Sequence, residues 1–556
     1  MAQRIFIGVA WPYANGPLHL GHLAGCYLPA DIFARYHRLR GNDVLMVSGS
    51  DSHGTPITLK AEAEGIPPAQ VVEKYTASFK ESWEKLGISF DLFTTTMTDN
   101  HRDTVHELFR ALNEKGYIYK DTMKVAFSPD FQRFLPDRLI QGTCPHCGFP
   151  DARGDQCDKC GRILDPVELI DPTYRRGSER YPVEIRDTEH LFFRLSAFQD
   201  RLLQWVVPQE HWRANVRNFT RGYLQDGLRD RAVSRDIDWG IPLPLEGFED
   251  KRIYVWFEAV VGYLSAAKEW AQRRGTPDAW KPFWLDPDTK AYYFIGKDNI
   301  PFHTIIWPAM LMASDAGYIL PYDVPANEFL TLEGRQLSTS RNWAVWVPDY
   351  LERFPPDPLR YHLAANMPET SDADFSWGEY VRRNNDELVA TFGNLVHRVL
   401  TQVYRNFDRQ VPDPNGSDAA SEELTAKISA GLDSVAASLE HTRFREALGH
   451  AMNLARDANR YLDAQAPWRQ VKEDKTAAAR TLYTALHAIS GLKVMLYPFL
   501  PFSAQTLHEL LGLSGEVEQQ GWEVRPPVPG TMLPEPSPLF TKLDEVVADE
   551  QVRVLG

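Results

Sequence analysis

Apolar and polar positions follow two patterns along this chain, one typical of buried strands and one typical of helices. The runs that fit buried strands are 4–10, 43–48, 251–256 and 291–298. Segments with helical spacing come between them, at 69–86 and 101–115 among others. Strands that alternate with helices predict an α/β fold with a Rossmann-like, doubly wound parallel sheet. We place the first half of this sheet in 1–115 and the second half in 236–325.

The rest of the chain departs from this alternation. Residues 116–235 carry short strand-like runs and predict a domain inserted between the two halves of the sheet. From 385 to 530 apolar positions recur at helical spacing without strand runs, which predicts an all-α bundle. The helices predicted there are 385–407, 421–439, 444–464 and 475–496. Residues 326–384 connect the sheet to the bundle, and 531–556 form a tail that folds back.

Composition and charge limit the classes of protein that fit. Apolar residues make up 43% of the 556 residues and aromatic residues 12%, which is enough for several packed cores. No apolar run reaches about 18 residues and no leader precedes the first strand, so we expect a soluble, cytoplasmic protein without a membrane partner. The formal net charge of −15 argues against a general polyanion binder, although an acidic whole accommodates a local basic track.

Two histidines stand where the first predicted strand passes into the first predicted helix. Residues 17–22 read Pro-Leu-His-Leu-Gly-His, so His19 and His22 share one helical face. The N-terminus of a helix attracts phosphate, and Gly21 lets a flat base or ribose approach the backbone. The pattern favours a nucleotide-phosphate site with imidazole donors. Two other interpretations remain, a metal site shared with His53 and histidines that cap the helix or pack in the core.

Four of the five cysteines form two Cys-X-X-Cys pairs separated by nine residues. Four thiolates at this spacing suit tetrahedral Zn²⁺, whereas a disulfide fails because cytosolic thiols stay reduced. We expect one structural zinc, since no ligand position is left open. The predicted ligands are Cys144, Cys147, Cys157 and Cys160. The fifth cysteine, Cys26, is predicted to be buried in the first helix.

The two-histidine segment resembles the His-Ile-Gly-His signature of the class I aminoacyl-tRNA synthetases, with Leu20 in the variable place. Over nearly the whole chain, the order of sheet, zinc knuckle and bundle resembles the methionyl-tRNA synthetase family. The resemblance implies ATP-dependent attachment of L-methionine to tRNA(Met), initiator tRNA included, through a methionyl-adenylate. It also implies Mg²⁺ with the ATP and an anticodon-binding role for the bundle. Because the chain ends soon after the bundle, we expect a monomer.

The resemblance assigns site residues position by position. The positions that match the methionine pocket are Ala10, Tyr13, Asp51, Trp256, Ala259, Val260, Tyr263 and His303. Those that match ATP contacts are His19, His22, Gly296, Asp298 and Thr339. Those that match anticodon contacts are Asn394, Arg398 and Trp468. Plainer interpretations stay open, namely Asp51 as a helix cap, the pocket aromatics as core and the bundle residues as solvated surface.

The second signature of the family is altered here. Where relatives have Lys-Met-Ser-Lys-Ser, residues 336–340 read Gln-Leu-Ser-Thr-Ser, so both lysines are missing. A lysine brings a mobile charge to the pyrophosphate leaving group, and the cations beside this motif are Arg335 and Arg341. The expected catalytic set is His19, Gly21, His22, Arg335, Ser338, Thr339, Ser340 and Arg341. The alternative is a synthetase-derived tRNA-binding or regulatory protein with impaired ligase activity.

Overall fold

The computed structural model describes residues 2–136, 139–154, 157, 159, 164, 166–176 and 179–555. The first part of the chain alternates strands and helices, as predicted. Its elements are β1 (Arg4–Val9), α1 (Leu20–His22), α2 (Leu28–Leu39), β2 (Asp43–Ser50), α3 (Thr55–Glu64), α4 (Pro68–Leu86), β3 (Leu92–Thr95) and α5 (Asp99–Glu114). A π-helical turn, Leu23–Tyr27, joins α1 to α2 and contains the buried Cys26. Pro68 opens α4, and Gly87 closes it in the left-handed conformation at φ 69°.

The next segment forms two antiparallel sheets and a pair of helices. Its elements are β4 (Ile118–Ser128), β5 (Arg133–Phe134), β6 (Ile140–Thr143), β7 (Ala152–Arg153), β8 (Ile170–Arg176), β9 (Glu179–Pro182), β10 (Glu184–Phe193), α6 (Gln199–Val206), α7 (Ala214–Gln225), β11 (Arg231–Ala232) and β12 (Ser234–Arg235). The sheet orders are β11-β10-β4-β5 and β7-β6-β8-β9. The strands β4 and β10 are longer than the short strands predicted here. Ile140, Tyr174 and two cysteines form a small apolar cluster of their own.

The chain then returns to the parallel sheet. The elements are β13 (Arg252–Ile253), α8 (Val255–Ala259), α9 (Gly262–Arg273), α10 (Lys281–Leu285), β14 (Lys290–Gly296), α11 (Trp307–Ser314) and β15 (Ala326–Asn327). The sheet has the order β15-β14-β1-β2-β3, and its paired strands run parallel. Ile5 of β1 lies between Lys290 and Val44. The predicted α/β fold is confirmed, and its ligand crevice is expected at the carboxyl ends of β1 and β14, where the strand order reverses.

The strand predicted at 251–256 is wrong. Only Arg252–Ile253 forms a strand, and it pairs with β12 in an antiparallel ribbon outside the parallel sheet. The Tyr254 N–H donates to the Val233 carbonyl at 2.8 Å, and α8 begins at Val255. The run has the composition of a strand, but its pairing with a distant segment decides its conformation.

A three-stranded sheet and a helical region complete the chain. The elements are β16 (Leu330–Leu332), β17 (Arg335–Gln336), α12 (Val347–Leu351), α13 (Pro356–Ala365), β18 (Ala373–Phe375), α14 (Trp377–Arg383), α15 (Asn394–Asn406), α16 (Ala419–Glu440), α17 (Phe444–Gln465), α18 (Pro467–Glu473), α19 (Lys475–Leu496), α20 (Pro501–Leu510), α21 (Val517–Gln520) and α22 (Val546–Arg553). The predicted bundle is confirmed, with Asn384–Gly393 π-helical ahead of α15. The tail folds back, since Asn385 Nδ2 donates to the Leu543 carbonyl at 2.8 Å. None of the described helices is both long and apolar enough to span a membrane.

Candidate active site

His19 and His22 form a reciprocal cap at the start of the first helix. His19 Nδ1 accepts from the Gly21 N–H at 3.1 Å, and His22 Nδ1 accepts from the His19 N–H at 3.1 Å. Because both Nδ1 atoms are acceptors, each neutral ring carries its proton on Nε2. Burial lowers the pKa of His19 to about 4 and that of His22 well below its ordinary value. Both rings therefore stay neutral and offer Nε2–H donors.

The helix cap and a phosphate site are compatible, because capping uses only one nitrogen of each ring. The two rings stack with their centroids 3.8 Å apart. The metal interpretation finds no support: among described residues, the only three His, Cys, Asp or Glu side chains whose ligand atoms lie within 4.8 Å of one another are cysteines.

The second signature loop lies directly on this capped turn. The Leu20 N–H donates to the Val345 carbonyl at 3.2 Å, and the Val347 N–H donates to the Leu18 carbonyl at 2.8 Å. Leu337 is so close that a β-carbon built on Gly21 would stand 2.7 Å from its Cδ1. Residues more than 300 positions apart in sequence thus form one surface.

Local bonds shape the loop itself. Ser338 and Trp343 exchange two backbone hydrogen bonds of 2.9 Å, which close a short turn between them. The Arg335 guanidinium lies 4.7 Å from the centre of the Trp343 ring, in cation–π geometry. Arg341 is exposed. Thr339 is exposed as well, while the Ser340 side chain lies outside the described part.

Asp51 follows β2 at the carboxyl edge of the sheet. Its N–H donates to the Pro12 carbonyl at 2.8 Å, and its carbonyl accepts from the Ala14 N–H at 3.0 Å, so it lies beside Tyr13. The residue is 2% exposed. Burial and then the charge of Glu258 raise the pKa of the Asp51 carboxyl well above its ordinary value. The capping interpretation is wrong for Asp51, because Gly54 occupies the N-cap of α3.

Aromatic rings meet next to this carboxylate. Trp256, on α8, stacks on Phe302 with centroids 4.3 Å apart, and the Tyr13 ring meets Trp256 edge-on at 6.0 Å. Ala259 and Val260 are buried on the same helical segment. Phe302 was not predicted from the sequence, although it is an aromatic residue directly before His303.

Tyr263 and His303 are linked deeper in the core. The His303 Nδ1 lies 2.9 Å from the Asn299 carbonyl, which can only accept, so Nδ1 carries the proton and Nε2 accepts from the Tyr263 hydroxyl at 2.7 Å. Burial lowers the pKa of His303 to about 4. The backbone of Ala10 lies nearby in the sheet, where its carbonyl accepts from the Tyr27 hydroxyl at 2.9 Å. Tyr263 and His303 are therefore buried and hydrogen-bonded within the core, as the packing interpretation expects.

Gly296 and Asp298 lie at the carboxyl end of β14, where a parallel sheet contacts nucleotides. Asp298 is exposed in the turn that follows the strand. The neighbouring Lys297 is held away by two carboxylates, Glu328 at 2.8 Å and Asp372 at 2.9 Å. The carboxylate of Asp298 is thus exposed at the carboxyl end of β14.

Three of the four predicted zinc ligands lie together. The sulfur atoms of Cys144, Cys147 and Cys157 are within 4.8 Å of one another, and those of Cys147 and Cys157 are 3.7 Å apart. A disulfide would need about 2.05 Å, whereas a tetrahedron of Zn–S bonds of about 2.3 Å has edges near this distance. The donor set fits a thiolate-bound metal ion. Cys160 lies outside the described residues.

Two of the three predicted anticodon residues, Arg398 and Trp468, are in contact on the bundle. Arg398 lies 5.2 Å from the centre of the Trp468 ring and pairs with Asp463 at 2.6 Å. Asn394 is exposed one helical turn before Arg398 on α15. Trp468 is 37% exposed, so part of its indole is open to solvent. The ion pair with Asp463 holds the Arg398 guanidinium beside the Trp468 ring.

Known proteins match the whole chain. Residues 5–400 match the family model "tRNA synthetases class I (M)", and 411–555 match "Anticodon binding domain of methionyl tRNA ligase". The chain is 58% identical to the methionine–tRNA ligase of Dehalococcoides mccartyi and 53% identical to that of Thermomicrobium roseum, over 100% of both chains in each case. A Mycobacterium tuberculosis methionyl-tRNA synthetase, solved in complex with methionyl-adenylate, matches with a TM-score of 0.81 and 29% identity, covering 97% of this chain and 100% of that one. The chain therefore belongs to the class I methionyl-tRNA synthetases, which are methionine–tRNA ligases.

Proposed function

We propose that this enzyme attaches L-methionine to tRNA(Met), initiator tRNA included, through a methionyl-adenylate, with release of AMP and pyrophosphate. The observation that carries the proposal is the second signature loop docked on the capped turn of His19, Gly21 and His22. Relatives named methionine–tRNA ligase and a neighbour solved with methionyl-adenylate support it. They do not favour a regulatory protein without ligase activity.

In the first step, methionine binds with its ammonium group on Asp51 and its side chain among the aromatic rings. A buried carboxylate is strongly stabilised by a cation, so the amino group is the natural partner of Asp51. Sulfur–ring contacts of about 0.3–1.5 kcal/mol each favour a thioether beside Tyr13, Trp256 and Phe302. The wall is completed by Ala10, Ala259, Val260, Tyr263 and His303.

The methionine carboxylate then attacks the α-phosphorus of ATP in line, and pyrophosphate leaves. His19 and His22 donate their Nε2–H groups to phosphoryl oxygens from the helix side, while Asp298 and Gly296 contact the ribose. Arg335 or Arg341 replaces the missing lysines, with hydrogen bonds from Ser338, Thr339 and Ser340. Mg²⁺ bound to the ATP would offset part of the phosphate charge. Catalysis consists of positioning and charge stabilisation without a covalent protein nucleophile.

The cysteine cluster of the inserted segment would hold one structural zinc ion. Cys144, Cys147, Cys157 and Cys160 are its ligands, and a closed set of four thiolates leaves no position for catalysis. The ion replaces packing that a short loop cannot supply. The expected stoichiometry is one zinc per chain.

The terminal ribose of the tRNA takes the acyl group from the adenylate, at its 2′-hydroxyl by analogy with class I relatives. Asn394, Arg398 and Trp468 contact the anticodon on the helical domain 385–530, because unstacked bases are recognised by aromatic stacking and by amide and guanidinium donors. In this proposal for the whole enzyme, the catalytic domain comprises 1–115 and 236–325. The enzyme acts as a monomer.

An amino-acid-dependent ATP–pyrophosphate exchange panel tests the function. Methionine alone among the proteinogenic amino acids should support exchange, and methionine should then be transferred to tRNA(Met). Exchange with a different amino acid would assign another substrate. No exchange with any of them would favour the regulatory alternative.

A further inference from the structure

Glu258 is a buried carboxylate that the steps above leave without a role. It lies on α8 between Trp256 and Ala259 and is 0% exposed. One of its oxygens, Oε1, is 2.8 Å from His53 Nδ1. The other, Oε2, is buried and has no hydrogen-bond partner among the described residues. A buried carboxylate with one unpaired oxygen is costly, which makes Glu258 a candidate for a role beyond packing.

His53 connects this carboxylate to Asp51. The His53 N–H donates to Asp51 Oδ1 at 3.4 Å, while its ring hydrogen-bonds to Glu258. Since a carboxylate only accepts, Nδ1–H of His53 is the donor to ionised Glu258. The ring orientation and the backbone position of His53 are thereby tied to α8.

The loop that carries Asp51 is held from the opposite side as well. Trp239 Nε1 donates to the Ser52 carbonyl at 2.8 Å, and the Trp239 ring meets His53 edge-on at 5.7 Å. The Ser52 N–H donates to Thr96 Oγ1 at 3.0 Å. The hydrogen bond between His53 and Glu258 then joins the loop of Asp51 to α8, the helix that carries Trp256.

Two carboxylates thus share one buried region. The charge of Glu258 adds to burial in raising the pKa of Asp51, and burial likewise raises the pKa of Glu258 against the opposing effect of His53. Like charges in a dry site repel each other unless a cation is placed near them. The α-ammonium group of an amino acid is such a cation.

We propose that Glu258, acting through His53, is a positioning residue that holds Asp51 for the substrate ammonium group and adds a second negative charge to its site. The inference rests on the proposed function, because it takes Asp51 as the ammonium-binding carboxylate. It assigns to the Glu258–His53 pair a part in selecting cationic amines over neutral isosteres.

The test is Glu258→Gln in ATP–pyrophosphate exchange with the full chain. The KM for methionine should rise about tenfold or more, because a hydrogen bond to a charged group and one negative charge are lost. The KM for ATP and the kcat should stay within about twofold. Methioninol, which keeps the ammonium group, should bind more weakly in parallel, whereas inhibition by 4-(methylthio)butanoate, which lacks it, should stay unchanged.

Matched variants separate this role from simple packing. Glu269→Gln alters another buried carboxylate, bound to Thr94 Oγ1 at 2.8 Å and outside the proposed path, and should leave the methionine KM unchanged. His53→Ala should reproduce Glu258→Gln, and the double variant should add little because the two act as one unit. His53→Asn, which keeps an N–H donor, should recover part of the loss.

Equal weakening of methioninol and 4-(methylthio)butanoate, or an unchanged methionine KM in both Glu258→Gln and His53→Ala, would overturn the inference. If Glu258→Gln does not fold, the two His53 variants decide it by the same ligand comparison. Failure of the proposed function looks different, since the wild-type chain would then show no methionine-dependent exchange.

Discussion

The side chain of Leu337 fills the space that a β-carbon at position 21 would need. A Cβ built on Gly21 would stand 2.7 Å from Leu337 Cδ1 and 3.0 Å from the His19 ring. A glycine at this position therefore lets the second signature loop rest on the histidine turn. The altered loop keeps this contact although its two lysines are missing.

Gly21→Ala should slow methionine-dependent exchange by about 10²-fold, because the added methyl group pushes Leu337 and the His19 ring out of position and small misplacements are costly in catalysis. Leu337→Ala in the same chain should recover part of the rate by vacating the space. The measurement is the kcat for exchange in the single and double variants. A wild-type rate in Gly21→Ala would mean that the contact has no part in catalysis.

The sequence predicted the strands and helices that depend mainly on the local pattern of apolar residues. The buried strands β1, β2 and β14 follow from their apolar runs, and the long bundle helices follow from apolar periodicity. The run 251–256 has the same composition, but it pairs with β12 and then turns into a helix. A single residue pattern does not specify such a long-range choice.

The candidate site was also only partly predictable from the sequence. The pair of histidines was visible as a motif, yet its Nδ1 caps and Nε2 donors depend on hydrogen bonds that only coordinates reveal. Phe302 and Glu258 belong to no sequence motif, and their contacts with Trp256 and His53 cross the fold, so the sequence alone did not single them out. The family resemblance supplied Trp468, and the structure places Arg398 against it.

Replacing both Arg335 and Arg341 by Ala should abolish exchange while methionine binding survives, because they are the cations next to the altered signature. Arg335 is held on Trp343 at 4.7 Å, whereas Arg341 is exposed, so the single variants show which one supplies the charge. Exchange kinetics and equilibrium binding of methionine check this. Unchanged exchange in the double variant would remove both arginines from the mechanism.

Cys157→Ser should reduce the zinc content from about one ion per chain to a small fraction and lower the unfolding temperature of the inserted segment. The reason is that Cys157 lies 3.7 Å from Cys147 within the sulfur cluster, and structural zinc contributes folding energy. Metal analysis of freshly purified protein provides the measurement. Cys26→Ser, a buried cysteine in another element, is the control and should keep its zinc. Metal-free wild-type protein would contradict the assignment.

Trp468→Ala should weaken charging of tRNA(Met) by about 1–3 kcal/mol, the worth of one base–aromatic stack, and leave tRNA-independent exchange intact. Its indole is 37% exposed and carries the Arg398 guanidinium on one side. Trp468→Phe keeps an aromatic face and should lose less. The two reactions are measured on the same preparations. Equal damage to both would place the effect in folding instead of tRNA recognition.

Asp31 gives the clearest pH dependence. It is fully buried on α2 and accepts from Arg35 Nε at 2.9 Å, Arg360 Nη2 at 2.6 Å and the Ser89 N–H at 2.8 Å. Arg360 also donates to the carbonyls of residues 498 and 499, which lie between α19 and α20. This cluster therefore joins α2 to the helical region at the end of the chain. Burial alone would raise the pKa of Asp31, but Arg35 and Arg360 outweigh it and lower that pKa to about 2.

Because the native pKa of Asp31 lies below its ordinary value, its ionised form stabilises the fold fully above about pH 4, and this contribution is lost as the pH falls toward about 2. Asp31→Asn should lower the free energy of unfolding at pH 7 by about 3–5 kcal/mol, since it leaves buried arginines without their partner. Urea unfolding of both proteins between pH 7 and the acid limit measures the difference, which should shrink below about pH 4. Asp286→Asn, which breaks the partly exposed pair with Arg4, should cost less than about 1 kcal/mol. A difference between wild type and Asp31→Asn that stays constant over the whole pH range would show that packing, and not the charge of Asp31, holds this junction.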